Sequence, residues 1–289
     1  MIGKTNSGPK LAGQGAVLLC AVLWSTSGLF IKLVDWHPVV IAGTRSLLAA
    51  LFLSGIRLLY KPKNRLKNRI LPLWAGAFAY AMTMLTFIIA NKLTTSANAI
   101  VLQYSAPIWA ALFGWFLIKE KAHWENWAAI VCIFAGFFML FRDSSGAGAF
   151  MGDCVAILSG VFFGLHSVFL RMQKDGNPLD SMLLAHVISF FVSIPFMAVY
   201  PPVLKVSTVF PIIYMGIVQI GFSSILYSYG LKRISAVQAM LTATIEPLLN
   251  PVWVLLFTGE IPAVSAIIGC GIILAAVLAS AIIGKYREN

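Results

Sequence analysis

The chain has 289 residues, 60% of them hydrophobic and only 11% charged, with a mean hydropathy of +0.88; soluble globular domains carry about 25% charged residues. Such a composition suits the lipid bilayer, and at roughly 20 residues per crossing helix the length holds about ten crossings, leaving no room for an appended enzymatic domain of ordinary size. The net charge of +11 therefore reads as a membrane-orientation signature and not as an address for nucleic acid.

Apolar runs separated by charged or Pro/Gly-containing breaks predict helices over 14–34, 38–60, 70–91, 95–118, 124–142, 150–171, 178–200, 208–231, 235–258 and 262–284. The first run is too long for a signal-peptide core and is taken as a mature helix. With the N-terminus inside, the inner connections collect sixteen of the 21 Lys and Arg residues, including the run from Arg57 to Arg69, Lys119, Lys121, Arg171, Lys232 and Arg233. The outer side receives only Lys32, Lys92, Arg142 and Lys205, and Arg45 lies mid-span. This bias predicts both termini in the cytoplasm and an even number of crossings. The four cysteines sit in apolar runs without metal-binding spacing and read as small membrane hydrophobes.

The sequence also repeats. A shift of 139 to 140 positions lays Gly13 on Gly152, Lys32 on Arg171, Pro38 on Pro178, Lys92 on Lys232, Pro107 on Pro247 and Glu120 on Glu260. Residues 1–142 and 143–289 then form two halves of five helices each. Because five is odd, the halves cross the membrane in opposite senses, as in secondary transporters that alternate access around a midplane site. The expected fold is thus an all-α integral membrane protein of ten transmembrane helices in two inverted five-helix repeats.

Trp24-Ser25 in the first span, Arg45 in the second, the Ala90-Asn91-Lys92-Leu93-Thr94 segment, and the paired segments Pro107 to Glu120 and Glu246-Pro247 to Glu260 resemble the EamA-type branch of the drug/metabolite transporter superfamily. The resemblance runs from about residue 13 to residue 284. It implies a bacterial inner-membrane permease, usually an exporter of amino acids or related metabolites. It further implies a central cavity lined by most of the helices, with helices five and ten at the periphery, where a homodimer contact is an alternative to a monomer. One departure is that the first half has Ala106-Pro107 where the second has Glu246-Pro247, so any carboxylate function belongs to the second half alone.

Ionisable groups inside the bilayer are costly, so each is a functional candidate. Arg45, Glu246, His166 and His186 qualify. Arg45 serves either as a structural partner, of a helix carbonyl or of Glu246, or as a substrate contact. Glu246 precedes a proline that frees a backbone carbonyl nearby, a feature of kinks facing cavities. Gln238, Thr242 and Glu246 follow an i, i+4, i+8 stripe and are placed on one helix face, lining either the path or a polar helix seam. Further substrate-binding candidates are Trp24, Tyr80, Thr83, Gln103, Tyr104 and Gln219. Lys32, Glu120, Arg171 and Glu260 lie at span ends as gate or structural residues. Gly160 and Gly164 make a GxxxG pattern for close helix packing. The sequence holds no phosphate-binding loop, zinc motif or nucleophile elbow, and no cofactor or metal is expected. The leading expectation is a secondary transporter exporting amino acids or related metabolites, with or without coupling to protons. The alternatives are transport of an amine or drug-like cation, a lipid-acting membrane enzyme and a channel.

Overall fold

The computed structural model describes residues 7–59, 69–94, 96–141, 150–258 and 264–287. Among these residues every regular element is helical, as an apolar chain in lipid must satisfy its backbone within each segment. In chain order the helices are α1 (Ser7–Trp24), α2 (Ser27–Lys32), α3 (Pro38–Leu59), α4 (Ile70–Leu93), α5 (Ser96–Gln103), α6 (Ala106–Ile118), α7 (Trp124–Phe141), α8 (Phe150–Arg171), α9 (Leu179–Val199), α10 (Val206–Ile213), α11 (Ser223–Leu231), α12 (Ala236–Ala243), α13 (Ile245–Thr258) and α14 (Val264–Arg287). A π-helical stretch, Tyr214–Phe222, joins α10 to α11.

Among the described residues six segments are long and apolar enough to cross a bilayer: Gly8–Ile31, Pro38–Leu59, Ile70–Leu93, Phe150–Arg171, Leu179–Val199 and Val206–Leu231. Four shorter apolar helices, Ala106–Ile118, Trp124–Met139, Ala236–Leu249 and Ile267–Ser280, complete a pattern of three long and two short that occurs twice along the chain. Leu51, Phe78, Phe138, Phe191 and Ile267 point outward and are more than half exposed, which in water would make the surface adhesive and in lipid makes it compatible.

Three expected helices are interrupted, each for a local reason. The first breaks at Ser25-Thr26, where the Ser25 hydroxyl donates to the Val22 carbonyl and the Thr26 hydroxyl to the Leu23 carbonyl, both at 2.7 Å. These side chains compete with the backbone for the carbonyls that would continue the helix. The run expected over 95–118 breaks at Tyr104-Ser105, and the run over 235–258 breaks at Thr244. Pro107 and Pro247 lie four residues beyond Gln103 and Ala243, and neither can return an N–H to those carbonyls.

Small residues set the packing. A Cβ on Gly164 would lie 2.8 Å from the Ala106 carbonyl oxygen and the Ala110 nitrogen, and one on Gly160 would lie 2.7 Å from the Gln103 carbonyl oxygen. The GxxxG face of α8 therefore seats directly on the α5–α6 break. A Cβ on Gly13 would come 2.8 Å from Arg233 Cβ, just past α11. Its repeat counterpart Gly152 stands equally close to Leu93 and Thr94, at the end of α4. Elsewhere α4 packs between α8 and α9, α3 lies against α9 and the π stretch, α1 against α11, and α7 against α14. The α7–α14 contact includes a hydrogen bond from the Ser280 hydroxyl to Asn126 Oδ1 at 3.2 Å.

Candidate functional site

The interrupted elements converge on one cavity. Its walls are Trp24 and Ser27 at the first break, Arg45 from α3, Thr83, Met84 and Phe87 from α4, Gln103 at the end of α5, Phe163 from α8, Gln219 and Ile220 from the π stretch, and Glu246 at the start of α13. The walls bound about 410 Å³ with the open rim included, of which about 40 Å³ admits the centre of a water molecule. That is space for roughly three waters, so a larger ligand requires the walls to part.

Arg45 is 2% exposed. Its Nη2 donates to Met84 Sδ at 3.4 Å, and its Nε has no hydrogen-bond partner. Glu246 is 7% exposed and meets Tyr104, whose Oη lies 2.7 Å from Glu246 Oε2 and 2.7 Å from the Ala243 carbonyl oxygen. Among the described residues the ion pairs join Arg57 to Asp180 and Arg171 to Glu120. Arg45 and Glu246 share the cavity without pairing to each other.

The remaining polar walls are tied into a frame. Gln103 Nε2 donates to the Ser159 hydroxyl at 2.8 Å, which donates to the Thr83 carbonyl at 3.1 Å. Trp24 Nε1 donates to Ser223 Oγ at 2.8 Å. Gln219 Nε2 reaches the Trp24 carbonyl at 3.4 Å, leaving Gln219 Oε1 buried without a partner. The π stretch brings Gln219 here because Gly216 allows close approach to α3, where a Cβ would stand 2.9 Å from the Arg45 carbonyl oxygen. Wide helical turns of this kind recur at functional sites.

Other candidates lie outside the cavity wall. Tyr80 is fully buried, its ring stacked on His166 at 4.4 Å between centroids and set edge-on to His186 at 5.5 Å. Nδ1 of His166 is 2.9 Å from the Gly76 carbonyl oxygen, and Nε2 of His186 is 3.3 Å from the Ser224 hydroxyl. These rings form a polar-aromatic layer behind Arg45. The break at Thr244 interrupts the stripe of Gln238, Thr242 and Glu246, and Gln238 and Glu246 line different pockets. Gln238 instead closes a capping box with Ser235 and lines a second pocket, and the Thr242 hydroxyl donates to the Gln238 carbonyl at 2.8 Å.

That second pocket lies at the basic end of the bundle, among Lys10, Lys119, Lys121, Arg171 and Arg233. Arg171 Nε donates to Glu120 Oε1 at 2.9 Å and Arg171 Nη1 to the Leu231 carbonyl at 3.1 Å, clasping α6, α8 and α11 together. Lys119 ends α6 in the left-handed region at φ 58°, and the Glu120 N–H turns back to the Gly114 carbonyl, which aims Glu120 at Arg171. Partial burial and then the adjacent Arg233 hold Lys232 below the ordinary lysine pKa. Glu260 and the Lys32 side chain lie outside the described residues. At the opposite end Tyr214 closes over the first break, its hydroxyl 3.3 Å from Thr26 Oγ1 and its ring 4.5 Å from that of Phe30.

Met84, Phe87, Phe163 and Ile220 complete the walls. The sequence does not mark them, because apolar wall residues have the same composition as lipid-facing ones. The only available signal for Phe163 is its place beside Gly164 on the packed face of α8.

The sequence profile of the EamA-like transporter family matches residues 11–142 and again residues 150–282. The chain belongs to the EamA-like transporter family. It is accordingly a multi-pass membrane protein with a transport role. This EamA-like transporter is 25% identical over 281 residues to the uncharacterized transporter YwfM of Bacillus subtilis (strain 168), covering 91% of each chain. It is 25% identical over 261 residues to an uncharacterized transporter of Archaeoglobus fulgidus, covering 84% of this chain and 88% of that one. Solute carrier family 35 member G1 of Homo sapiens is 30% identical over 186 residues, or 57% of this chain; the match spans about half, 49%, of the human protein. A solved crystal structure superimposes with a TM-score of 0.78 over 99% of the EamA-like transporter and 100% of its own chain, at 20% identity, and thus shares its fold.

Proposed function

We propose that this EamA-like transporter is a secondary transporter that exports amino acids with apolar side chains across the cytoplasmic membrane by alternating access. The observation that carries the reading is the pairing within one buried cavity of Arg45 and Glu246, opposite in formal charge and not bonded to each other. A zwitterion needs a counter-charge at each end. Arg45 offers a planar fork for a carboxylate, Glu246 accepts an ammonium, and Trp24, Met84, Phe87, Phe163 and Ile220 supply an apolar wall.

We further infer ten crossings in two inverted halves, residues 1–142 and 143–289, with both termini cytoplasmic. The twice-occurring pattern of three long and two short apolar helices supports this. So do the equivalent Gly13 and Gly152 contacts and the sixteen Lys and Arg residues on one side. Alternating access would then part the Arg171–Glu120 clasp at the basic end and the Tyr214–Thr26 contact at the other, one at a time. The cavity's small free space means that its walls must part before a ligand larger than a few waters enters.

Purified protein in inverted liposomes should take up labelled leucine with saturable kinetics, and unlabelled leucine inside should accelerate that uptake by exchange. Arg45→Gln and Glu246→Gln should each lose the uptake while remaining folded. Unsaturable, ohmic flux would point to a channel and refute the reading.

A further inference from the structure

The α12–α13 break leaves a backbone acceptor in need of a donor. Pro247 has no N–H, so the Ala243 carbonyl loses the donor that a continuous helix would supply. In a water-poor bilayer core that carbonyl needs another donor, and the Tyr104 hydroxyl, 2.7 Å away, is the one in place. Tyr104 is 1% exposed and Ala243 fully buried, so no bulk water competes. A phenol carries a single hydrogen. With that hydrogen on Ala243, the 2.7 Å contact between Tyr104 Oη and Glu246 Oε2 lacks one unless the carboxyl itself provides it.

We propose that Glu246 is a proton-binding site, holding its proton on Oε2 and donating it to Tyr104 while the cavity is empty, and that it releases this proton when a ligand ammonium arrives. The groups facing Glu246 agree with this assignment. Its titratable neighbours, Cys20 from α1, Tyr80 from α4 and Tyr104 between α5 and α6, are a thiol and two phenols, side chains that carry no charge at neutral pH. Cys270 from α14 makes its contact with the Leu248 carbonyl. Arg45, the cation of the cavity, stands farther away than an ion pair allows. A charge buried here without a partner is costly, whereas a protonated carboxyl completes the hydrogen-bond chain from Glu246 through Tyr104 to Ala243.

This step rests on the zwitterion reading above for its ligand, and its proton balance is simple. As R–NH₃⁺ enters, Glu246–COOH becomes a carboxylate and its proton passes to water at the open side. One positive charge replaces another, and the carrier exchanges protons for substrate. Export of the ligand is then driven by protons entering from outside.

Infrared pH-difference spectroscopy on the full-length protein in liposomes tests the proton site without any ligand. Wild type should show a protonated-carboxyl C=O band at neutral pH that Glu246→Gln lacks and that Tyr104→Phe shifts without removing. Identical bands in wild type and Glu246→Gln would overturn the proposal. Leucine is the probe for the exchange step: in weakly buffered solution its binding should release close to one proton per site in wild type and none in Glu246→Gln. Binding without proton release would overturn exchange. If leucine fails to bind, the substrate reading falls, and the infrared band alone decides the proton site.

Discussion

The contact between Tyr104 and the Ala243 carbonyl makes a sharp energetic prediction. Removing the hydroxyl with Tyr104→Phe leaves the carbonyl without a donor at a place where both groups are at most 1% exposed. An orphaned buried polar group costs about 1–3 kcal/mol, while hydrogen bonds measured within membrane helix bundles average about 0.6 and reach about 1.7 kcal/mol. The expected loss is therefore about 1–2 kcal/mol. Pro247→Ala restores the missing N–H and allows α12 to bond through into α13. In that background Tyr104→Phe should cost less than half as much, because only the contact with Glu246 remains to be lost. A double-mutant cycle of SDS-induced unfolding in mixed micelles measures the coupling. Equal penalties for Tyr104→Phe in both backgrounds would refute the idea that Tyr104 replaces the donor the proline removes.

Other outcomes test other parts of the structure. Gly164→Ala should destabilise by about 1–3 kcal/mol through overpacking against Ala106 and Ala110. Gly15→Ala, where a Cβ meets nothing within 4 Å, should be neutral or slightly stabilising in thermal unfolding, and equal effects would contradict the proposed α8–α6 contact. Arg171→Gln should release the clasp to Glu120 and Leu231, so that a cysteine placed at Gln238 reacts faster with a water-soluble maleimide from the basic side; an unchanged labelling rate would remove the clasp from gating. A reporter fused after Asn289 should be cytoplasmic and one inserted at Gly146 periplasmic, and finding both on one side would break the inverted-repeat topology.

The sequence was most legible where scarce residues stand in an apolar background. Arg45, Glu246, Gln103 and Gln219 stand out because a polar group in lipid requires a reason, and all four border the cavity. The GxxxG pair was equally readable, since Gly160 and Gly164 have few uses in a membrane helix other than close approach. Helix periodicity failed at the breaks. Gln238 and Thr242 share a face with Glu246 only if the helix continues through Thr244, and Pro247 already signalled that it does not. Tyr80 and His166 illustrate a different gap: mid-span depth is visible in sequence, but whether a ring faces a cavity or a neighbouring ring depends on helix rotation. The π stretch that delivers Gln219 leaves no such mark, because widening the helix over Tyr214–Phe222 changes no residue type.

Competition between leucine and its decarboxylated amine measures the substrate claim most directly. Both ligands share the ammonium and the apolar side chain, so their affinities differ by what Arg45 contributes to the carboxylate. A charge-assisted hydrogen bond contributes about 1.5–3 kcal/mol, and 1.4 kcal/mol is about tenfold in affinity. The account predicts that wild type prefers leucine by tenfold or more, that Arg45→Gln abolishes the preference, and that Glu246→Gln weakens both ligands together. Equal binding of leucine and the amine by wild type, unchanged by Arg45→Gln, would contradict the zwitterion site and identify the cavity as one for cations.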